Sequence, residues 1–533
     1  MPQPTDRPSL ISGPPLETIA DLIAGPRIDD MLTRAAGRAA DRPAVRSAAG
    51  DTTFGELDAG ATALAAGLQR TLGREGGTVA LALFMDPVFP VAFFGLCRAG
   101  FVPALFNPML PVARMVHVIG SSEATTAIVS PEVYRRLSEV ADRLPALERI
   151  VLTHRPEDLG PLAGDVPTLE EIAASADPGD LVAPESAPDS VACLQFTSGT
   201  TGAPKGVRLT HRNVTTNAAQ TASAHRLDDT SVVFNFLPAF HMMHLTIAIT
   251  SMATLVVWAD DDIAGSVEAA DRFRATHYYT LPMRLNRLAA DGRLTELEAP
   301  SLRAILSGGS ALPPNTASVL GQHFGVPVVQ GFGLQEAAPL THFDDLDRPR
   351  SGSVGAPLAG TECRVVDGAD GSVVPLGERG ALQVRGPQLM AGYLGRDPSL
   401  DFEEDGWFAT GDIVRLEEGG TMFVVDRLKD VFKRDNWLVS PTEIERLLLR
   451  HPKVADCVVF DHPDPVSGAV AHGLVVPRGD LDPDEIKKYV AERLPYYEHL
   501  ENVEFTAEIP RSPQGKVQRR EIRDHALARA EQN

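Results

Sequence analysis

One segment of the chain carries the residue types that hold phosphate groups. An apolar run at residues 194–196 leads into a loop of glycines, hydroxyl side chains and one lysine: Thr197, Ser198, Gly199, Thr200, Thr201, Gly202, Ala203, Pro204, Lys205 and Gly206. Glycine lets the backbone approach a phosphate closely, hydroxyl and amide groups donate to its oxygens, and lysine adds a positive charge. No Gly-Lys-Ser/Thr ends the loop, so it is not a Walker A loop. The composition indicates a phosphate site, although an ordinary turn shares it.

Further segments place single charged residues next to turns. Glu336 follows the glycine turn at residues 331–333, and Asp412 ends the run at residues 406–412. Arg427 and Lys429 stand in the segment 426–430, and Lys516 stands in the segment 510–520. Charged residues in turns are mostly solvated, so each of these segments alone indicates little.

Taken together, in this order and spacing, the segments resemble the AMP-forming acyl-adenylating superfamily. That family includes acyl- and aryl-CoA synthetases, firefly-type luciferases and peptide-synthetase adenylation domains. The resemblance begins at residues 53–57, passes through Asn107-Pro108 and ends at Lys516, so it covers nearly the whole chain. It implies ATP, Mg²⁺ and coenzyme A, and an acid that is first adenylated and then transferred to a thiol.

The resemblance also implies roles for individual residues. The loop at residues 197–206 would close over the β- and γ-phosphates of ATP, Glu336 would hold Mg²⁺, and Lys516 would bridge the attacking carboxylate and the α-phosphate. The implied catalytic residues are Lys516, Glu336, Thr197, Lys205 and His241. Asp412 would accept hydrogen bonds from the ribose hydroxyls. Beyond the phosphate loop, the implied nucleotide contacts are Gly308, Gly309, Gly331, Phe332, Gly333, Gln335, Asp412 and Arg427.

The sequence departs from the family pattern at several of these positions. Gln335 stands where threonine is usual, and Phe332 replaces a tyrosine. In the loop that lines the thiol tunnel of relatives, Asn436 replaces a glycine, and the adjacent Trp437 would reshape the tunnel. Asparagine is among the best substitutes at a left-handed backbone position, so this turn can survive the change.

The predicted acid pocket centres on residues 237–244, where His241 matches an aromatic gate residue of the family. The other implied acid contacts are Met242, Ser307, Gly308, Gly331, Gly333, Pro339 and Leu340. The segment holds no aspartate for a substrate ammonium group, so an amino acid substrate is not expected. No carboxylate or cysteine joins His241 and His244, so we expect no metal there and interpret His244 as a packed or surface side chain. The small residues leave room for a bulky or long apolar acid, and fatty, aryl and polycyclic acids all remain open.

Alternating apolar strands and amphipathic helices must position these residues. Strands are predicted at residues 79–84, 127–129 and 150–152, with a helix at residues 88–100, and a second such series runs from residue 231 to about 329. This alternation is typical of parallel sheets under helices. Residues 355–426 predict a β-rich module, with strands at 363–366, 380–385 and 421–425. Residues 1–25 are interpreted as a loose leader and residues 153–190 as a surface excursion.

The predicted fold is therefore α/β, with two domains. Residues 1–427 form a large N-terminal domain of layered α/β sheets with the β-rich module, which binds ATP and the acid. Residues 428–533 form a small mobile α+β domain that carries Lys516 and turns about Lys429, and its predicted elements include a helix at residues 441–449 and a strand at 455–460.

Composition excludes several other classes of protein. With 533 residues the chain is long enough to bury large cores without disulfides or metals. Its formal charge of −22 disfavours nucleic acid and anionic membranes as partners. The four cysteines form no CxxC pair and the N-terminus has no apolar signal core, so we expect a cytoplasmic protein without a stable membrane anchor.

These observations favour an ATP-dependent acid–thiol ligase, most simply an acyl-CoA synthetase. An acyl-AMP ligase that delivers its acid to the phosphopantetheine of a carrier protein is the nearest alternative, and Trp437 leaves it open. A catalytically silent nucleotide-binding relative is the third interpretation. The presence of five charged residues in one chain argues against it: Lys205, Glu336, Asp412, Arg427 and Lys516. The expected partners are a small carboxylic acid and CoA or a carrier protein, and a homodimer is compatible with the sequence.

Replacing the implied bridging lysine separates the two half-reactions. We expect Lys516→Ala to abolish adenylation, because a lost charge donor costs about 2–4 kcal/mol or more of transition-state stabilisation. Thioester formation from supplied acyl-AMP should remain largely intact. ATP–pyrophosphate exchange and single-turnover thioester assays measure the two steps, and an equal loss in both would contradict the role given to Lys516.

Overall fold

The computed structural model describes residues 5–74, 76–84, 86–155, 166–197, 204–237, 242–368, 370–435, 437–464, 466–512 and 517–530. These residues form two helix-flanked sheets, an antiparallel sheet and a smaller C-terminal sheet with its own core. The predicted α/β fold, with a large N-terminal and a small C-terminal part, is confirmed.

Six of the described strands form the first sheet: β5 (Thr78–Ala82), β6 (Val102–Leu105), β7 (Thr126–Val129), β8 (Arg149–Leu152), β9 (Val191–Phe196) and β10 (Gly206–Thr210). Their order is β10-β9-β6-β5-β7-β8, and all neighbours are parallel except the β9–β10 hairpin. The strands are apolar nearly throughout because helices cover a parallel sheet on both faces. The hairpin carries the predicted phosphate loop between its two strands.

Nine of the described strands form the second sheet: β3 (Pro43–Ser47), β4 (Gly50–Thr53), β11 (Val232–Phe236), β12 (Thr254–Val257), β13 (His277–Thr280), β14 (Ala304–Ser307), β15 (Val328–Gly333), β16 (Leu340–Phe343) and β17 (Ala356–Pro357). Their order is β17-β16-β15-β14-β13-β11-β12-β3-β4. The strands from β15 to β3 in this order run parallel. Parallel strands end at one edge, so the segments that follow β11, β14 and β15 converge there.

The predicted β-rich module is an antiparallel sheet. Its described strands, in spatial order, are β2 (Leu10–Ser12), β18 (Glu362–Val366), β20 (Arg379–Arg385), β21 (Phe408–Leu416) and β22 (Met422–Arg427). A separate pair joins β1 (Thr5–Pro8) to β19 (Pro375–Leu376). The last strand ends at Arg427, the residue at which the predicted N-terminal domain also ends.

The interpretation of residues 1–25 as a loose leader is wrong. Strand β2 pairs antiparallel with β18, and the short helix Leu16–Leu22 buries Ile19. Gly13 lies so close to the backbone that a side-chain carbon there would be 2.0 Å from the carbonyl oxygen of Leu358. This segment folds because its partners stand about 350 residues later in the chain, where local composition cannot reveal them.

The helices that cover the sheets are α1 (Ile28–Ala39), α2 (Phe54–Leu72), α3 (Val88–Ala99), α4 (Val112–Ser121), α5 (Pro131–Ser138), α6 (Leu169–Ala174), α7 (His211–Ala224), α8 (Met243–Ser251), α9 (Ile263–Arg272), α10 (Pro282–Ala289) and α11 (Pro314–Phe324). Helix α2 begins with a capping box: the Glu56 amide donates to Thr53 Oγ1, and the Thr53 amide donates to the Glu56 carboxylate. The cap explains why residues 53–57 start a helix.

The interpretation of residues 153–190 as a surface excursion is partly wrong, because α6 within it packs against α2. Leu169 and Ile172 are buried, and Gly67 of α2 meets the backbone of α6. A side-chain carbon at Gly67 would lie 1.9 Å from the carbonyl oxygen of Ile172, so this contact requires glycine. Residues 156–165 lie outside the described part of the chain.

The C-terminal part has a hairpin of β23 (Phe432–Arg434) and β24 (Trp437–Val439) and a sheet of β25 (Val454–Asp464), β26 (Gly468–Pro477) and β27 (Leu500–Phe505). Three helices pack with it: α12 (Pro441–Leu448), α13 (Pro483–Ala491) and α14 (Arg519–Ala530). Its core is separate and includes Ile444, Val459 and Ile486, all fully buried. The boundary at residues 427 and 428 stays a prediction.

A nearly buried arginine joins the C-terminal helix to the segment that links the two parts. Arg519 forms ion pairs with Glu445 at 2.7 Å, Asp430 at 3.3 Å and Asp426 at 3.7 Å. Burial works against its charge, but Glu445 and Asp426 raise the pKa of Arg519 overall. Ser440 Oγ also donates to Asp426 at 2.7 Å. The cluster therefore needs Arg519 to balance carboxylates that are largely shielded from water.

No helix in the described ranges is long and apolar enough to cross a membrane. The cysteines Cys97, Cys193, Cys363 and Cys457 are all free and buried. Burial is the main reason that their thiol pKa values are raised.

Removing Arg519 should destabilise the C-terminal part. We expect Arg519→Leu to cost about 3 kcal/mol or more, because breaking a buried ion pair leaves its carboxylates uncompensated. Hydrogen–deuterium exchange of peptides from α12 and α14 localises the effect. Arg493→Leu is the matched control, since its pair with Glu492 is exposed and its loss should change exchange little. Equal exchange in both variants would contradict the account of the cluster.

Candidate active site

The β9–β10 hairpin closes the predicted phosphate loop at its base. The Thr197 amide donates to the carbonyl oxygen of Lys205 at 3.0 Å, and the Lys205 amide donates to Thr197 Oγ1 at 3.2 Å. These bonds keep the two ends of the loop together. The loop residues Ser198, Gly199, Thr200, Thr201 and Gly202 lie outside the described residues.

A tyrosine brings the lysine of this loop and the predicted metal-binding glutamate together. The hydroxyl of Tyr393 donates to Glu336 Oε1 at 2.6 Å. Lys205 Nζ lies 4.8 Å from the centre of the same ring, within the range of a cation–π interaction. Burial, with the nearby charge of Glu336, raises the pKa of Tyr393, so its hydroxyl stays protonated and remains a donor. Tyr393 thus positions both charged groups.

Backbone hydrogen bonds hold Tyr393 in this place. Residues 390–394 run beside β10, and the Leu394 amide donates to the carbonyl oxygen of Gly206 at 2.7 Å. On the other side, the Met390 amide donates to the carbonyl oxygen of Glu336 at 2.8 Å. The segment therefore links the hairpin of the first sheet to the turn after β15.

The residues present fit a magnesium ion that is shared with a nucleotide. Glu336 offers a hard carboxylate oxygen, and it is half-buried and already oriented by Tyr393. Within the described ranges, no cluster of three or more His, Cys, Asp or Glu side chains could hold a metal by itself. Mg²⁺ usually takes one or two protein carboxylates and completes its octahedron with phosphates and water, so a single glutamate suits it.

Glycines line the edge at which β14 and β15 end. Gly308 directly follows β14, and Gly331 lies on the neighbouring strand β15. A side-chain carbon at Gly308 would have the Gly331 carbonyl oxygen, at 3.8 Å, as its nearest contact. Gly309 has a φ of 85°, which favours glycine. Gly333 admits no side chain, because a carbon there would lie 2.4 Å from the carbonyl oxygen of Pro339. The edge therefore leaves space beside Gly308 for a flat group.

Several other predicted contacts have defined surroundings. Phe332 is half-buried and meets the ring of His342 edge-on, with 6.1 Å between ring centres. Ser307 Oγ donates to the carbonyl oxygen of Thr280 at 2.9 Å, so its hydroxyl is engaged within the sheet. Gln335 Oε1 is buried without a hydrogen-bond partner among the described residues.

A residue that sequence reasoning missed holds the predicted contact Leu340. Asn217 of α7 donates to the Leu340 carbonyl oxygen at 2.7 Å and accepts from its amide at 3.1 Å. Tyr393 was missed as well. Neither residue belongs to a segment that the sequence analysis singled out, so only their position in the fold reveals them.

The predicted ribose contacts form a second pair in the antiparallel sheet. Asp412 and Arg427 stand opposite each other on β21 and β22. Arg427 Nε lies 2.7 Å from Asp412 Oδ1, and the carboxylate is nearly buried while the arginine is half-exposed. The two residues therefore meet directly, although 15 positions separate them in sequence.

The acid-binding segment is described in part. Met242 is buried, and its sulfur lies 3.7 Å from Cys193 Sγ. His241 lies outside the described residues. His244 is buried and packs edge-on against Tyr279, with ring centres 4.8 Å apart, so it is the packed histidine that was interpreted from the sequence.

The predicted hinge and thiol-tunnel residues follow the antiparallel sheet. Lys429 stands exposed in a tight turn, where the amides of Asp430 and Val431 both donate to the carbonyl oxygen of Arg427. Trp437 is 55% exposed and stacks on Tyr497 with ring centres 5.2 Å apart. Asn436 and the predicted catalytic Lys516 lie outside the described residues.

A loop closed by a hairpin, a metal-suited glutamate and a glycine-lined sheet edge together define a nucleotide-binding α/β enzyme. Comparison with known proteins gives the family. The AMP-binding enzyme family model matches residues 32–394, and the model of its C-terminal domain matches residues 443–516. The chain therefore belongs to the AMP-binding enzyme family.

Its relatives include CoA ligases with different acids. It is 31% identical to a long-chain-fatty-acid–CoA ligase of Yersinia pestis, with 93% of this chain and 94% of the relative covered. It is also 31% identical to 4-coumarate–CoA ligase 5 of Oryza sativa subsp. japonica, with the same coverage. A solved anthranilate CoA ligase with anthranoyl-AMP shares the fold, at a TM-score of 0.86 and 24% identity, covering 96% of this chain and 99% of that one. The predicted family, and an enzyme of the acyl-CoA synthetase class, are confirmed.

Removing the hydroxyl of Tyr393 should weaken the use of magnesium. We expect Tyr393→Phe to keep the ring beneath Lys205 but release Glu336, and to raise the Mg²⁺ concentration needed for half-maximal ATP–pyrophosphate exchange about 10-fold or more. Tyr489→Phe, on the surface helix α13, is the control and should leave that concentration unchanged. An unchanged Mg²⁺ requirement in Tyr393→Phe would remove the positioning role.

Proposed function

We propose that this protein is an ATP-dependent carboxylic acid–CoA ligase that works in two steps. In the first, a carboxylate oxygen of the acid attacks the α-phosphorus of ATP, the bond to pyrophosphate breaks, and acyl-AMP forms. In the second, the thiol of CoA loses its proton and attacks the acyl carbon, and AMP leaves with the electron pair of the broken C–O bond. The grouping of Lys205 and Glu336 on Tyr393 is the observation that carries the proposal.

The first step brings two anions together, which is why this grouping matters. A carboxylate and a triphosphate repel each other, and positioned positive charges reduce that repulsion most in the transition state. Lys205 stands at the base of the phosphate loop, where it would contact the β- and γ-phosphates. Glu336 would hold a Mg²⁺ ion, which would supply further positive charge to the phosphate oxygens. Lys516 is proposed to bridge the carboxylate and the α-phosphate.

The nucleoside would lie along the glycine-lined edge. We assign adenine to the space beside Gly308, Gly331 and Phe332, and the ribose hydroxyls to Asp412. In the structure Asp412 is paired with Arg427, whose half-exposed side chain can turn toward a phosphate when ribose takes its place. The nearly buried Asp412 carboxylate would then accept hydrogen bonds from the two ribose hydroxyls in place of Arg427. This arrangement supports ATP rather than a smaller phosphate ester.

The second step is proposed to follow a rotation of residues 428–533 about Lys429. The turn of residues 427–431 supports this assignment, since it has an exposed lysine and lies between two separate cores. Dihedral angles in such a turn can change without disrupting either core. Trp437 would then stand at the thiol entrance, braced by Tyr497.

Product analysis tests the proposal. The protein is incubated with ATP, Mg²⁺ and a panel of fatty, aryl and polycyclic acids, with and without CoA, and the products are identified by mass spectrometry. We expect acyl-CoA and AMP from one acid class, and no acyl-AMP from Lys516→Ala. If acyl-AMP accumulates with CoA present and a holo carrier protein consumes it, the carrier protein is the acceptor in place of CoA. No AMP-containing product from any acid would overturn the proposal in favour of a silent nucleotide-binding relative.

A further inference from the structure

A buried amide on the second sheet has no hydrogen-bond partner in the part of the chain that the structure describes. Asn235 of β11 is 1% exposed, and neither its side-chain oxygen nor its nitrogen has a hydrogen-bond partner among the described residues. Leaving a buried polar group unpaired costs about 1–3 kcal/mol, so native proteins pair nearly all of them. Here two polar atoms of one side chain are unpaired. An asparagine at this position is therefore costly unless a ligand completes its hydrogen bonds.

The strand register places Asn235 in a row of the sheet below the edge at which the predicted acid contact Gly308 lies. Asn235 pairs with Tyr279, and the same row of the sheet continues through Leu306 of β14. Gly308, a predicted acid contact, directly follows β14 and stands two residues beyond Leu306. At a rise of about 3.3 Å per residue, this row lies about 7 Å below the glycine edge. That distance corresponds to one aromatic ring or a short chain.

Hydrogen-bonding side chains lie near Asn235, on Tyr279 and on the histidines that contact it. Tyr279, its neighbour across the strands, shares a hydrogen bond of 2.9 Å between its hydroxyl and His225 Nδ1. His244, which stands in α8 and is the last residue of the predicted acid segment 237–244, also packs edge-on against the Tyr279 ring. Burial lowers the pKa of His225 to about 3, so this ring is neutral. The environment suits a neutral hydrogen-bonding group rather than an ion.

We propose that Asn235 is a specificity-determining residue that hydrogen-bonds a hydroxyl group on the acid. The inference rests on the proposed function and narrows its substrate class to carboxylic acids that carry a hydroxyl about one ring length from the carboxylate. The amide oxygen of Asn235 accepts from that hydroxyl, or its nitrogen donates to it. An acid without the hydroxyl leaves the amide unpaired, and such sites discriminate strongly against the analogue that lacks the group.

Matched pairs of acids test the inference on the protein as it exists. Values of kcat/KM for acyl-CoA formation are measured with 4-hydroxybenzoate against benzoate, 4-hydroxycinnamate against cinnamate, and 10-hydroxydecanoate against decanoate. We expect the wild-type protein to favour the hydroxylated member of at least one aromatic pair by 10-fold or more, and to show a smaller ratio for the decanoate pair, whose hydroxyl lies further from the carboxylate than one ring length. A ratio within 2-fold for every pair overturns the inference, because a water molecule would then satisfy Asn235 as well as the substrate does. This test uses only the wild-type protein, so it does not depend on whether a variant folds.

Two variants test whether Asn235 causes the preference. Asn235→Leu keeps the side-chain shape without its polar atoms, and we expect it to lose the preference by raising kcat/KM for the plain acid relative to its hydroxylated partner. Thr280→Val is the matched control. Thr280 is buried in β13, the strand that pairs with β11, and its hydroxyl donates to the Phe236 carbonyl oxygen. It follows Tyr279 in the strand, so its side chain lies on the face of the sheet opposite to Tyr279 and Asn235. Its acid preference should equal that of the wild type. A preference retained in Asn235→Leu overturns the inference.

The outcomes separate this inference from the proposed function. Acyl-CoA formed without hydroxyl selectivity removes only the role of Asn235. Absence of acyl-CoA and acyl-AMP from every acid removes the ligase proposal, and the inference with it. Thermal shifts with the acids alone add a second readout, since a hydroxylated acid should stabilise the wild type more than Asn235→Leu.

Discussion

The pairing of residues 390–394 with strand β10 is the interaction on which the arrangement of the site depends. It places Tyr393 between a lysine from the first sheet and a glutamate from the turn after β15. Each of these groups comes from a different layer of the fold. Without a shared partner they would stand on independent loops, and their separation would vary. A few backbone hydrogen bonds therefore determine the geometry of charges that must act together on one phosphate chain.

The net charge of −22 makes such local control necessary. A chain this acidic repels an anionic nucleotide at a distance, so attraction must come from cations placed at short range. In the structure each of these cations has its own partner group. Lys205 lies over an aromatic ring, Arg427 pairs with Asp412, and Arg519 is enclosed by three carboxylates. The first two stand where a nucleotide is proposed, whereas Arg519 orders the helix next to the linking segment.

The predictability of each element depended on where its partners lie. Helix α3 was predicted at residues 88–100 and is observed at Val88–Ala99, because an apolar segment and the left-handed Gly100 mark it locally. Strand β2 was missed because its partner β18 stands far along the chain. Helix α6 was missed because acidic and small residues surround its two buried positions, and its fit on Gly67 is a contact between distant segments.

The site divides in the same way. The phosphate loop and Glu336 carry recognisable residue types in short segments, so the sequence alone indicated nucleotide chemistry and the family that the comparisons confirm. The sequence could not indicate Tyr393, Asn217 or Asn235, because an isolated tyrosine or asparagine has no local signal of its purpose. Their roles arise from which backbone lies opposite, how deeply they are buried and which partners remain. Residue chemistry is a property of the chain, whereas pairing and burial exist only once distant segments pack together, and the tertiary structure alone decides them.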